Sequence, residues 1–258
     1  MTFLLCFTES VYVDTSDMRS CSVLESLFRF KRSFMESRDS FCSLSVFKRA
    51  LSGYSAMFLP ILASFPFVFS QSAERNSGNI RFSIFRTKRL QFYFSKFISG
   101  AVSGGICVML GVALFGMFSF IAFPGLQHYP YLDPSFYAPD GVFAEIMKKL
   151  LSSFIYGCAS TLPAFFLSSF CRNRYTILCV PFLTRFMRTT AINKILSDAQ
   201  DQEIYQKVFP FQCDAPSWIP YLKAGAELYS TLAVTLISAV LILFGYIIIM
   251  ECRTDKGD

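Results

Sequence analysis

The chain has 258 residues, of which 53% are hydrophobic and only 16% charged, and its mean hydropathy is +0.44. This composition excludes an ordinary water-soluble domain and predicts an integral membrane protein. The net charge of +6 would also suit nucleic-acid binding, but lysines and arginines that meet anionic lipid at the membrane surface account for the same residues. No nucleic-acid partner is therefore expected.

Residues 1–51 form an N-terminal segment that precedes the first clear membrane span. Residues 1–7 are apolar but far too short to cross a bilayer, although they could be the tail of a truncated first span. Residues 19–49 are rich in lysine and arginine and would form a basic outer segment. The transmembrane domain is expected over residues 52–258.

Four apolar stretches of this domain contain no charged residue, and each has about the 20 residues that a helix needs to cross the hydrocarbon core. They are residues 52–70, 97–123, 150–170 and 228–250. The first and third contain prolines, which membrane bundles tolerate because neighbouring helices and Ser or Thr side chains re-satisfy the freed backbone groups. All four are predicted to be spanning helices.

A fifth apolar stretch, residues 176–195, contains Arg185 and Arg188. One interpretation is a short span whose arginines extend to the membrane interface. The other is an arginine that faces a transport pathway or a partner subunit. With this stretch included, the sequence predicts an all-α protein, a polytopic helical transmembrane bundle of about five to six spans.

The segment between the first two spans, residues 71–96, carries six lysines and arginines and a single acid, Glu74. Because such an excess of positive charge beside membrane spans is typical of cytoplasmic loops, this segment is expected inside the cell. Alternation of the spans then places residues 19–49 outside, which conflicts with their own positive charge.

The span at residues 97–123 carries Gly100, Gly104 and Gly111 at spacings of four and seven residues, which align them on one helical face. Faces of small residues allow helices to approach each other closely. This face could serve packing within the chain, or it could form a seam that moves during transport.

The sequence contains no recognisable catalytic or metal-binding constellation. The nine cysteines include no C-x-x-C pair, and His128 is the only histidine. Cys21, Cys42 and Cys213 could form a disulfide or remain as thiols. We therefore expect no catalytic, cofactor-binding or metal-binding residue, and we do not expect this chain to be an enzyme.

Residues 74–96 resemble the corresponding region of type-2 ATP-binding-cassette permeases. The likeness consists of an E-x-x-S-G pattern from Glu74 to Gly78, the basic cluster Arg86-Thr87-Lys88-Arg89, and Lys96 leading into a glycine-rich span. It covers about residues 53–124, and the rest of the chain is similar only in its pattern of spans.

The resemblance implies a permease subunit that moves an unidentified substrate with ATP hydrolysed by a separate partner. No cofactor would bind to this chain, since ATP would bind to the ATPase subunit. The resemblance also implies a multi-pass protein of a bacterial plasma membrane, in contact with lipids and dimerised with an identical or different permease subunit.

In such permeases a cytoplasmic segment, here residues 71–96, docks on the ATPase and couples its closure to the spans. The residues expected to act in this coupling segment are Glu74, Gly78, Arg86, Arg89 and Lys96. Anchoring by positive charge explains Arg86, Arg89 and Lys96 equally well, whereas it does not explain Glu74. The alternative for the whole chain is a membrane assembly or accessory protein that transports nothing.

Overall fold

The computed structural model describes residues 1–14, 19–76, 88–129, 138–171, 173–198, 202–212 and 214–254. Within these ranges the chain is mainly helical, with one pair of short strands. The strands are β1 (Ser10–Asp14) and β2 (Arg19–Ser22). The α-helices are α1 (Thr2–Cys6), α2 (Val23–Arg29), α3 (Arg32–Met35), α4 (Ser43–Lys48), α5 (Tyr54–Asn76), α6 (Arg89–Ala122), α7 (Val142–Phe170), α8 (Arg174–Asp198), α9 (Gln202–Val208), α10 (Ala215–Trp218) and α11 (Ala226–Thr254).

Three of the described helices, α6, α7 and α11, are long and apolar enough to cross a membrane. Their 34, 29 and 29 residues exceed the roughly 20 that the hydrocarbon core requires. The prediction of a helical membrane protein is confirmed at this level. Residues 52–70 and 176–195 fall within α5 and α8, whose apolar parts are shorter or carry more charge than those of the three long helices.

The prolines inside the helices behave as the sequence predicted. α5 continues through Pro60 and Pro66, α7 through Pro163 and α8 through Pro181. Hydroxyl groups beside two of these positions bond to the helix backbone: Ser64 Oγ donates to the carbonyl of Pro60, and Thr184 Oγ1 donates to the carbonyl of Pro181 at 3.0 Å. Proline therefore interrupts none of these helices.

The strand pair is a departure from the all-α prediction. β1 and β2 are antiparallel, with Ser10 opposite Ser22 and Val11 opposite Cys21. Val11 is fully buried and Cys21 is nearly so. β-Branched and aromatic residues favour extended backbone, and the run Val-Tyr-Val in β1 is too short to stand out in a sequence dominated by long apolar stretches.

The described residues divide into two compact units. Unit 1 comprises Met1–Phe58 and Val108–Leu151, and unit 2 comprises Leu59–Cys107 and Ser152–Asp258. Helices α5, α6 and α7 contribute residues to both.

Aromatic side chains form much of the core of unit 1. The ring of Phe7, just after α1, lies 5.4 Å from that of Phe115 in α6, edge to face. Phe47 of α4 packs where Gly116 leaves room, because a Cβ at Gly116 would lie 2.7 Å from Cε2 of the Phe47 ring. Burial of such rings contributes strongly to stability, so residues of the N-terminal segment share a core with the second half of α6.

Cys6 lies in this core with no exposed surface. Burial, with a smaller contribution from the carboxylate of Glu9, raises the pKa of the Cys6 thiol from 9.0 to about 12. Because the folded pKa lies above the unfolded value, stability from this site is complete below pH 9.0 and falls as the pH rises towards 12.

We expect Cys6 to resist alkylation by iodoacetamide at pH 8, because burial raises the pKa of its thiol to about 12 and leaves little reactive thiolate in the folded state. The exposed Cys252 provides the internal control. Mass spectrometry of the native and the denatured chain measures both sites. Alkylation of Cys6 in the native chain as fast as that of Cys252 would contradict the buried placement.

An aromatic cluster joins the helices of unit 2. Phe165 of α7 contacts Phe67 of α5 at 5.0 Å, Phe97 of α6 at 5.1 Å and Tyr246 of α11 at 4.2 Å between ring centroids. Ile177 and Leu178 add α8 to the same cluster. These contacts pack α5, α6, α7, α8 and α11 against one another within unit 2.

Candidate functional site

The acid of the predicted coupling segment forms an ion pair within unit 2. Lys96 Nζ of α6 lies 2.5 Å from both carboxylate oxygens of Glu74 near the end of α5. About one third of each side chain is exposed, and the ammonium also lies 5.8 Å from the ring centroid of Phe92. The pair therefore joins the two helices on either side of residues 77–87.

The remaining members of the predicted coupling segment are placed only in part. Gly78 and Arg86 lie outside the described residues. Arg89 is the first residue of α6 and is exposed, as is Lys88 before it. Of the five residues, the structure thus brings Glu74 and Lys96 together and shows Arg89 at the same end of α6 as Lys96.

The three predicted glycines of α6 contact different neighbours. A Cβ at Gly100 would lie 2.7 Å from the ring of Phe67, and one at Gly104 would lie 2.7 Å from the carbonyl oxygen of Ala63 and closer still to Thr161. Gly111 instead faces Thr2 in unit 1. Each glycine packs against residues of this chain, in unit 2 for Gly100 and Gly104 and in unit 1 for Gly111.

A second polar cluster of unit 2 surrounds Arg185 of α8. Its guanidinium forms an ion pair with the carboxylate of Asp214 and lies over the ring of Tyr156 at 4.6 Å from the centroid. Tyr156 Oη donates to the same carboxylate at 2.9 Å. The Arg185 side chain is only 10% exposed, so the cluster compensates a largely buried cation.

Arg188, one turn further along α8, is more exposed and donates a hydrogen bond to the carbonyl of Phe211. Together with Arg185 it lines a cavity of about 260 Å³ within unit 2. Residues of α5, α7, α8, α10 and α11 complete the wall. Arg185 thus lies on the wall of this cavity, where it is paired with Asp214.

Sequence reasoning identified Arg185 but missed Asp214 and Tyr156. Asp214 is 29 residues away in the chain, beyond the end of α8, and Tyr156 lies inside an apolar helix. No spacing pattern connects them. Only the approach of α7, α8 and α10 in space could reveal the cluster.

Among the described residues no group of three or more His, Cys, Asp and Glu side chains is arranged to hold a metal ion. No family model, no curated protein and no solved structure matches the chain. Its function is therefore inferred from its own residues and their geometry.

Proposed function

We propose that this chain is the membrane-spanning permease subunit of a type-2 ATP-binding-cassette transporter, driven by ATP hydrolysis in a separate subunit. The observation that carries the proposal is the ion pair between Glu74 and Lys96. It links the ends of α5 and α6 that flank residues 77–87, the middle of the segment that resembles the coupling region of such permeases.

A coupling segment must transmit displacement to the spans, and a loop with loosely held ends would absorb that displacement. The pair ties α5 to α6 close to the two helix ends that flank residues 77–88. In this proposal Glu74 has a positioning role: it holds the segment in place, and the contacts with the ATPase are made by other residues of the segment.

An exposed cation directly before α6 supports an external partner. A positive charge at a helix N-terminus opposes the helix dipole at a cost of about 0.3–1 kcal/mol, so Lys88 does not serve helix stability. Acidic groups of an ATPase, or phosphates of inner-leaflet lipid, would compensate its charge.

The proposal includes five spans, formed by α5, α6, α7, α8 and α11, in a bacterial plasma membrane with residues 71–96 in the cytoplasm. α5 has 23 residues, and at 1.5 Å per residue this is about the thickness of the hydrocarbon core. α8 carries more charge, but the pairing of Arg185 with Asp214 lowers the cost of placing that cation in the membrane.

Exchange of the two charges tests the proposal. Wild-type chain purified from native membranes in mild detergent should retain an ATP-binding subunit, detected by azido-ATP labelling and ATP hydrolysis. Glu74→Lys should reduce its recovery by about fivefold, since the reversal replaces an attraction by a repulsion of about 1 kcal/mol at this partly exposed site. The double variant Glu74→Lys/Lys96→Glu should restore recovery.

A matched control is the exposed pair of Glu25 and Arg29 in α2, whose closest approach is 2.9 Å. Its reversal should leave recovery of the ATPase unchanged. If wild-type chain retains no ATP-binding subunit, the permease proposal fails and a non-transporting membrane assembly or accessory protein becomes the better interpretation.

A further inference from the structure

We propose that the cavity of unit 2 is a binding site for a singly charged anionic amphiphile, a carboxylate or phosphate headgroup attached to an apolar chain. The proposal uses no residue of the coupling segment and does not depend on a partner ATPase. It rests on the charge of the cavity wall, on the arrangement of its arginines and on the apolar surface beside it.

The charged residues among those that line the cavity are Arg185 and Arg188. Asp214 neutralises one positive charge through Arg185. The described contact of Arg188 is a backbone carbonyl, which carries no formal charge. Two arginines and one aspartate leave a net charge of +1, so the described wall is complementary to one negative charge.

The two arginines lie three residues apart on α8 and therefore on the same face of the helix. A guanidinium presents several N–H donors in a plane, a geometry that matches carboxylate and phosphate oxygens. Thr235 and Ser238 also line the wall, but their hydroxyls donate to the carbonyls of Thr231 and Thr235 within α11. The guanidinium groups would thus supply a headgroup in the cavity with both charge and N–H donors.

The size of the cavity fits a headgroup better than a whole lipid. Its volume of about 260 Å³ lies just below the roughly 300–1,000 Å³ of pockets that enclose complete drug-sized ligands. The apolar part of a larger ligand would have to extend beyond the cavity.

The outer surface of α11 provides a path for that apolar part. Val234, Ser238 and Ile242, spaced by four, face the cavity. Ile237, Leu241 and Phe244 form the neighbouring stripe and are 58%, 65% and 63% exposed. An acyl chain that leaves the cavity therefore meets an apolar helix face, which favours an amphiphile over a small inorganic anion.

Replacement of Asp214 is expected to change binding in the direction opposite to replacement of Arg188. Its carboxylate occupies Arg185 in the structure and is half exposed, so it would compete with the headgroup of the ligand. Asp214→Asn removes the competing charge but keeps an oxygen that can accept the hydrogen bond from Tyr156. Loss of this acid should therefore strengthen binding, whereas loss of Arg188 should weaken it.

Trp218, the single tryptophan of the chain, reports binding because it lies in α10 two residues after the cavity residue Pro216. The purified chain in dodecyl maltoside is titrated with a brominated dodecanoate, and bromine in contact with the indole quenches its fluorescence. We expect saturable quenching. Arg188→Gln should raise the Kd by about ten- to a hundredfold through loss of charge-assisted hydrogen bonds, and Asp214→Asn should lower it.

Competition identifies the ligand class. Unbrominated dodecanoate should displace the probe, whereas dodecanol and inorganic phosphate should not. Displacement by phosphate as effective as that by dodecanoate would mean a site for small free anions and would overturn the amphiphile proposal. Quenching that never saturates, or an unchanged Kd in Arg188→Gln with the same thermal midpoint as wild type, would overturn the site itself. The chain is measured without an ATPase, so failure here is distinguishable from failure of the coupling experiment.

Discussion

Replacement of Lys48 by methionine is expected to lower the free energy of unfolding by about 3 kcal/mol, the cost of removing the closest partner of a buried charge. Lys48 Nζ lies 2.9 Å from Oε2 of Glu145, whose side chain is only 5% exposed. Lys148, at 3.9 Å from the same carboxylate, is too far to replace the lost hydrogen bond. Thermal unfolding in detergent, followed by circular dichroism, measures the effect.

The two partners of this pair should not be equivalent. The side chain of Lys48 is 32% exposed and can reach water when Glu145→Gln removes the acid, so that variant should be less destabilised than Lys48→Met. Arg32→Met, which breaks the exposed pair with Glu36, should cost well under about 1 kcal/mol. Equal losses in all three variants would contradict the buried placement of Glu145.

Gly104→Ala is expected to destabilise unit 2 by about 1–3 kcal/mol, the usual cost of excess volume in a packed interior. A Cβ at this position would meet Thr161 and would lie 2.7 Å from the carbonyl oxygen of Ala63. Because the second contact is with backbone, a side-chain rotation cannot relieve it. The midpoint of thermal unfolding should fall accordingly.

Gly125→Ala is the matched control. Gly125 has φ −72°, which alanine adopts without strain, and a Cβ there would meet no atom within 4 Å. The midpoint of thermal unfolding of the Gly125→Ala variant should stay at the wild-type value. If Gly104→Ala and Gly125→Ala unfold alike, α5, α6 and α7 do not approach each other as described.

The long apolar helices could be predicted from the sequence because a bilayer imposes length and hydropathy on each segment independently. The strand pair, and the core that the N-terminal residues share with α6, could not be predicted from the sequence. Both depend on contacts between segments that each stretch of sequence does not reveal by itself. Cys21 and Cys42 illustrate the difference: the sequence placed them in a segment outside the membrane and left a disulfide or free thiols open, and the structure shows both as buried thiols.

In the candidate site, too, the sequence predicted features of single segments but not contacts between distant residues. Positive charge next to the spans identified residues 71–96, but the role of Glu74 depends on its distance from Lys96, which lies 22 residues away. The sequence predicted Glu74 as a residue of the coupling segment, and the structure shows it paired with Lys96. The Arg185 cluster needed three helices to meet in space, and neither hydropathy nor spacing contains that information.

Site-specific photocrosslinking in native membranes tests the central claim most directly. A photoreactive amino acid is placed at Arg89, exposed at the start of α6, and as a control at Gln127, exposed beyond its end. The permease proposal predicts a crosslink from position 89 to a subunit that azido-ATP labels, and none from position 127. Absence of an ATP-binding partner at position 89, or an equal yield from both positions, would contradict it.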